Sequence, residues 1–271
     1  MWWQARCTPR DGIWFAGARP PVSFPESARD ELNRVEEQSF WFRHRNRCIL
    51  AALRRYPPGG PLVDVGGGNG YVSIALQANG FPVVLVEPGE AGARHAQARG
   101  VATVVCATLQ QSGVPDGSLS AVGLFDVIEH VEHDEEFLRE IHGKLRPGGG
   151  RLYLTVPALP ALWSRDDKVA GHHRRYTPRR LAALVERIGF RVEAVSCIFS
   201  WLPPLIYVAR TLPSLLQGSR DDFPNPAGQH LSAAPWRRLL AERLLAFEAR
   251  RIADGRRVRF GSSIILVAKK A

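Results

Sequence analysis

The chain has 271 residues, 45% of them hydrophobic, which is enough to bury one full core and fits a single α/β unit with elaborations. Its net charge of +10 rests on arginine, because only four of the 36 basic residues are lysine (Lys144, Lys168, Lys269 and Lys270). With abundant alanine and glycine, that bias follows coding composition as readily as function, so it does not single out a nucleic-acid partner and leaves anionic substrates or an acidic membrane surface open.

Residues 1–57 read as an N-terminal extension with a lid helix. The stretch MWWQARCTPRDGIWFAGARPP breaks its apolar residues with Arg6, Arg10 and Asp11 and has no signal-peptide core. Cys7, Cys48, Cys106 and Cys197 form no CxxC pair, which argues against a disulfide framework or a cysteine-held zinc and makes a reducing cytoplasm the expected compartment.

From 58 to 200 the pattern changes to short β-branched runs separated by helix-length segments, the pattern of βαβ units and a parallel sheet. Strands are predicted at PLVDVG, PVVLVE, ATVVC, AVGLFD, GRLYLTVP and FRVEAVSC, with helices after Tyr71, Gly89, Asp134 and Thr177. Asp134 reads as an N-cap with Glu135 and Glu136 in the first turn, where the helix dipole favours acids. Thr177 is a second cap, followed by Pro178 at the first helical position.

Residues 201–258 read as a substrate-side insert, and 259–271, with SSIILVAKK, as the closing strand of the core. The apolar stretch CIFSWLPPLIYVARTLPSLL, 197–216, contains three prolines and Arg210, and falls short of the ~18 uninterrupted apolar residues of a membrane helix. It suits a greasy acceptor, a peripheral membrane contact or a homodimer. After it, PWRRLLAERLLAFEARRIADG predicts an amphipathic helix with Leu239, Leu240, Leu244, Leu245 and Phe247 on or near one face, ended by Gly255.

Two stretches carry chemistry. LVDVGGGNGYVSIAL runs from a buried strand through Gly66, Gly67, Gly68 and Gly70 into an apolar helix, so backbone N–H groups at the helix start can face a polar or anionic ligand. Glu87, about 20 residues on, ends the next strand where a carboxylate accepts both ribose hydroxyls of an adenosine. Together they predict a nucleoside cofactor without separating NAD from another adenosine.

GLFDVIEHVEHDEEF leaves the carboxyl end of the fourth core strand, the ligand side of an open α/β sheet. Asp126, Glu129 and His130 are spaced i, i+3, i+4, so one helical turn puts all three on one face. His133 falls in a loop. HHRRYT follows the fifth core strand on the same side and offers His172 or His173 as a distant partner. Such a set can take a hydroxyl proton or hold a divalent metal that lowers the hydroxyl pKa, and both readings stay open here.

DVGGGNG, VEP, LFDVIEHVEHDEEFLREI and LRPGGGRLYLTVP resemble, in order and spacing, class I S-adenosylmethionine-dependent methyltransferases, over roughly residues 40–200 plus the closing strand. The resemblance implies a Rossmann-like, mostly parallel seven-stranded sheet with the last strand antiparallel. It implies S-adenosyl-L-methionine against Asp64, Gly66, Gly68 and Gly70, with Glu87 at the ribose. The adenine side, which carries an acid in relatives, reads Cys106, Ala107, Thr108 and Leu109 here, so adenine recognition is expected from backbone groups, Thr108 or a nearby glutamine, with Leu109 beside the cofactor. The resemblance implies Phe125 and Asp126 beside the cofactor, and FWFRHR resembles a lid helix with Trp41 as aromatic wall and Arg45 as basic contact to the cofactor carboxylate.

Among subgroups, the stretch is similar to ubiquinone-biosynthesis O-methyltransferases and to small-RNA 2′-O-methyltransferases, whose ExxEH set binds a divalent metal. That likeness implies Glu129, His130 and His173 as catalytic groups or metal ligands, although Asp126 is one methylene shorter than the glutamate of that motif. His172, Arg174, Arg175, Tyr176, Trp163 and Trp201 are expected on the substrate side. The expected activity is O-methylation of a small or lipid-like hydroxylated acceptor, with N- or C-methylation, or cofactor binding without methylation, as alternatives. No nucleic-acid module is recognisable.

Overall fold

The computed structural model describes residues 1–17, 33, 36, 39–212 and 235–271, with the side chains of 209, 210 and 235–242 outside that description. Among the described residues one sheet contains β1 (Cys7–Arg10), β2 (Ile13–Ala16), β3 (Leu62–Val65), β4 (Val83–Val86), β5 (Val104–Cys106), β6 (Ala121–Phe125), β7 (Arg151–Pro157), β8 (Phe190–Ile198) and β9 (Ser263–Lys270). Their order is β1-β2-β5-β4-β3-β6-β7-β9-β8. β2 to β7 run parallel where they pair, and β9 is antiparallel to both its neighbours.

The seven predicted strands are β3 to β9, and the expected seven-stranded sheet is corrected to nine strands. The two additional strands are a hairpin from the N-terminal extension, in which β2 pairs with the open edge of β5 (Trp14 opposite Val105, Phe15 opposite Cys106). That extension is thus partly sheet rather than lid alone.

Helices cover both faces of the sheet. They are α1 (Phe40–Arg55), α2 (Tyr71–Ala78), α3 (Glu90–Ala98), α4 (Asp134–Lys144), α5 (Arg165–Val169), α6 (Pro178–Ile188), α7 (Leu202–Ile206) and α8 (Pro235–Ala253). Leu138 and Ile141 of α4 and Leu181, Val185 and Ile188 of α6 pack on one face. On the other, Ile49 and Leu53 of α1, Val72 and Leu76 of α2, and Leu245 and Ile252 of α8 share a second core. Every residue of β3, β4 and β6 is buried, as a parallel sheet covered on both faces requires.

Three local expectations are adjusted. Thr177 caps α6 by accepting from the Arg180 N–H, as predicted, but α4 begins at Asp134 itself, and His133 occupies its N-cap. On α8 the inward positions are Leu245, Glu248 and Ile252, whereas Leu244 and Phe247 are exposed; Leu239 and Leu240 lie outside the described side chains. Gly255, at φ +72°, follows the end of that helix. The apolar stretch 197–216 passes from β8 into α7 and a π-helical turn over Tyr207–Thr211, with Leu205, Tyr207 and Val208 exposed and 213–216 outside the described residues. No helix among the described residues is long and apolar enough to cross a membrane.

Candidate functional site

The strand order reverses between β3 and β6, and a cavity of about 460 Å³ opens outside the carboxyl ends of β3 to β7 at that point. Asp64, Gly66, Gly67, Gly68, Glu87, Thr108, Leu109, Phe125 and Asp126 line it, with Trp41 and Arg45 from α1 and with Glu129, His130 and His172. Two separated sequence regions, the glycine loop and the stretch after β6, therefore meet at one cavity.

The loop after β3 is set by backbone conformations that favour glycine. Gly66, Gly68 and Gly70 have φ of +70°, +54° and +75°. Gly66 donates to the Val86 carbonyl at 2.8 Å and Gly70 to the Gly67 carbonyl at 3.0 Å. A Cβ at Gly70 would come within 2.7 Å of Ala96, so this glycine seats α2 against α3; it does not line the cavity, which corrects its expected contact with the cofactor. Glu87 accepts from the N–H groups of Gly68 (2.9 Å) and Gly89 (2.8 Å), pinning two loops around one carboxylate.

Asp64 is fully buried and accepts from Ser73 Oγ at 2.6 Å, while its Oδ1 has no hydrogen-bond partner. Burial pushes its carboxyl up to about 6, against the hydrogen bond from Ser73. After β5, Thr108 and Gln111 bond to each other: Thr108 N–H donates to the Gln111 amide oxygen (3.1 Å), and Gln111 N–H donates to Thr108 Oγ1 (3.2 Å). Leu109 supplies an apolar wall beside them.

Arg45 is ion-paired to Asp126, and its guanidinium lies 5.0 Å from the Trp41 ring and 5.1 Å from that of Phe42. Asp126 adopts φ +58° and also accepts from Thr155 Oγ1 at 3.1 Å. Arg45 therefore has a protein partner where a cofactor carboxylate was expected, and Asp126 is turned to Arg45 rather than to the histidines. Trp41 stacks on Phe199 at 5.4 Å with an interplanar angle of 6°.

The segment Ile128–His130 forms one 3-10 turn. Glu129 is buried and its Oε2 has no hydrogen-bond partner; burial, then the charge of Asp126, pushes its carboxyl well above the usual carboxylate range. The rings of His130 and His172 meet edge to face at 4.7 Å. One donor atom each from Glu129, His130 and His172 lie within 4.8 Å of one another. A carboxylate with two imidazoles is a donor set that suits a divalent transition ion or a proton relay.

His172, not His173, completes this cluster. His173 has an exposed side chain and contributes only its backbone N–H, which donates to the Glu129 carbonyl at 2.7 Å. The expected substrate-side groups are directed to the scaffold instead. Arg174 pairs with Asp134 at 2.8 Å, and Arg175 donates to Asp167 (2.8 Å) and to the Ala158 carbonyl (3.1 Å). The buried Tyr176 hydroxyl donates to Asp134 at 2.7 Å; burial, then that contact, raises its pKa. None of these three lines the cavity, nor do Trp163 and Trp201, the latter stacked on Phe40 at 6.1 Å.

Several lining residues carry no isolated sequence signal. Glu36, Tyr71, Phe137 and Ser263 come from four different elements or segments, and only the assembled fold brings them together. Five carboxyl-bearing residues, Glu36, Asp64, Glu87, Asp126 and Glu129, line the cavity, with Asp126 paired to Arg45 and Glu36 to Arg99. The glycine loop, the partnerless Asp64 Oδ1 and the buried Glu87 fit a sulfonium nucleoside with its amino-acid tail.

Comparison with known proteins agrees with this fit. Residues 36–195 match the family described as methyltransferase domain. A probable S-adenosylmethionine-dependent methyltransferase of Mycolicibacterium smegmatis is 28% identical over 181 residues, 66% of this chain and 70% of that protein. A ubiquinone biosynthesis O-methyltransferase of Xanthomonas axonopodis pv. citri is 25% identical over 168 residues, 55% of this chain and 70% of that protein. The chain spans about two thirds of the length of the first curated relatives it matches. In fold, it is similar to the complex between a Haloferax volcanii methyltransferase activator and a methyltransferase, with TM-score 0.59, 17% identity, and 92% and 99% of the two chains covered. With its family match over more than half its length and its acid-lined cavity at the sheet's switch point, the chain belongs to the class I S-adenosylmethionine-dependent methyltransferases.

Proposed function

We propose that this enzyme methylates a hydroxyl oxygen of a small or lipid-like acceptor, with the imidazoles of His130 and His172 receiving the hydroxyl proton. The observation that carries this reading is that both imidazoles line the same cavity as the cofactor loop. Apolar side chains, Val127, Val131, Phe137 and Pro157, line the cavity with them, which suits a ring or chain bearing one hydroxyl. A relative named as a ubiquinone biosynthesis O-methyltransferase supports the same class of acceptor.

When bound, S-adenosylmethionine supplies an electrophilic methyl whose C–S bond breaks, its electrons returning to sulfur, as the acceptor oxygen forms the new C–O bond. The chain's own task is to align that oxygen and remove its proton. An imidazole accepts a proton near neutral pH, and the second imidazole beside it can pass the proton outward to water. Glu129 accepts the His173 N–H on its backbone carbonyl, joining the turn that carries His130 to the segment that carries His172. The same three donors would hold a divalent cation if one binds, polarising the hydroxyl directly.

The test is methyl transfer from labelled S-adenosylmethionine to a panel of phenols, catechols and prenylated phenols, with products identified by mass and NMR. A methyl ether is expected, with His130→Ala lowering kcat by about a hundredfold. Turnover in excess chelator assigns the proton to the imidazoles, and its loss with recovery on adding metal assigns the cluster to a cation. Products methylated only at nitrogen or carbon, or full turnover by the variant, would overturn the proposal.

A further inference from the structure

We propose that Asp167 is a positioning residue for the acceptor-side imidazole: its carboxylate holds the His172 proton on Nδ1, leaving the Nε2 lone pair for the cavity beside His130 and Glu129. The inference deepens the proposed function and rests on it for its catalytic meaning.

The placement follows from the local sequence SRDDKVAGH. Ser164 caps the short helix α5, and Asp167 returns the contact by accepting the Ser164 N–H on Oδ2 at 2.8 Å. Gly171, at φ +74°, then turns the chain back, and the His172 N–H donates to the Asp167 carbonyl at 2.8 Å. The ring of His172 is thereby delivered to the same residue's side chain, with Nδ1 at 2.9 Å from Asp167 Oδ1.

A capping role alone would use Oδ2 and leave Oδ1 unexplained. Oδ1 instead meets both His172 Nδ1 and Arg175 Nε, the latter at 2.8 Å, and the carboxylate is buried at 1% exposure. Burial would raise this carboxyl, but the hydrogen bond with His172, then the charge and hydrogen bond of the largely buried Arg175, hold it below the usual carboxylate range. An ionised carboxylate has only acceptor sites, so Nδ1 must be the donor and Nε2 the unprotonated nitrogen of the neutral ring. The groups facing His172 are therefore Asp167 with Arg175 behind it on one side, and His130 and Glu129 on the other. The arrangement follows the logic by which a buried carboxylate fixes the tautomer of a working imidazole.

The measurement is long-range ¹H–¹⁵N correlation of the imidazoles in the labelled 271-residue chain, at a pH where they are neutral, with His172→Gln identifying the resonance. The wild type is expected to show His172 protonated on Nδ1. Asp167→Asn is expected to shift it toward the Nε2-protonated form and to lower kcat by about ten- to a hundredfold, with the acceptor KM within about twofold. A wild-type ring protonated on Nε2, a tautomer unchanged by Asp167→Asn, or unchanged kcat despite a shifted tautomer would each overturn the inference. The tautomer is read without substrate, so it stands apart from failure of the proposed reaction, which His172→Gln with undiminished turnover would reveal.

Discussion

At the scale of single residues, Asp64 shows how this site sets binding against stability. Its folded carboxyl, at about 6, lies above the unfolded 3.8. A group raised in this way contributes stability that is fully present below the unfolded value and is lost as pH rises through the folded one. Above that window the buried carboxylate costs the cofactor-free protein about 3 kcal/mol, the free energy of a rise from 3.8 to about 6. A cationic ligand bound beside it would offset that cost, so this residue would favour the occupied state. Asp64→Asn removes the charge at the smaller cost of a buried amide donor. The variant is expected to melt about 2–4 °C higher than wild type at pH 7.5 without cofactor, to lose most of that advantage at pH 4, and to bind S-adenosylmethionine about tenfold more weakly. Thermal melts at both pH values and calorimetric titration check each part; a lower melting temperature at pH 7.5 would sink the argument.

At the scale of elements, α8 is tied to the cavity through one carboxylate. Glu248 accepts from His44 Nε2 of α1 at 3.0 Å and from the N–H groups of Phe199 (2.8 Å) and Ser200 (2.7 Å), where the chain leaves β8. Phe199, held at φ +62°, stacks on Trp41, so the clamp reaches the cavity wall through one ring pair. Burial alone would raise the Glu248 carboxyl, but these hydrogen bonds outweigh it and hold it below the usual range. Its contribution is therefore present above the unfolded value and lost as pH falls through the folded one. Glu248→Ala leaves four buried or partly buried donors unmet, the Ser200 hydroxyl included, and is expected to cost about 3 kcal/mol, roughly 10 °C in melting temperature, with a deficit that shrinks in acid; a variant as stable as wild type at pH 7 would show the clamp to be idle. The same helix shows where sequence reading stopped. Apolar periodicity pointed to Leu244 and Phe247, which are exposed, because a buried glutamate at the centre of the inward face is invisible to a pattern that counts only apolar side chains. β3 to β9 were readable because most are buried apolar runs, whereas β1, with Thr8, Pro9 and Arg10 exposed, pairs only with β2 in a local hairpin, and that hairpin joins the sheet through the non-local pairing of β2 with β5. The glycine loop was readable because its chemistry is local. The choice between His172 and His173 was not, since it turns on Gly171 and on the Asp167 carboxylate.

At the scale of the whole molecule, a chain of net charge +10 lines its cavity with five carboxyl-bearing residues and one arginine, and two of those acids, Asp126 and Glu36, are paired with Arg45 and Arg99. Surface arginines are screened over about 8 Å at physiological salt, while buried cavity groups are screened much less. The N-terminal hairpin stands at the far edge of the same sheet and contributes no lining residue to the cavity. It buries Trp3, Cys7 and Ile13 and pairs with the edge of β5, a three-residue strand whose neighbour β4 leads into Glu87. Removing residues 1–17 should therefore weaken the fold without removing the site. Each large apolar side chain lost from such a core is worth about 1.5–3 kcal/mol, and an uncovered strand edge invites pairing between molecules. The shortened chain is expected to unfold at a lower urea concentration and to self-associate on size-exclusion chromatography, while binding S-adenosylmethionine within about threefold of wild type under folding conditions. A folded, monomeric product that no longer binds the cofactor would instead make the hairpin part of the binding apparatus, and would show that β5 needs its outer neighbour to hold Thr108 and Leu109 against the cavity.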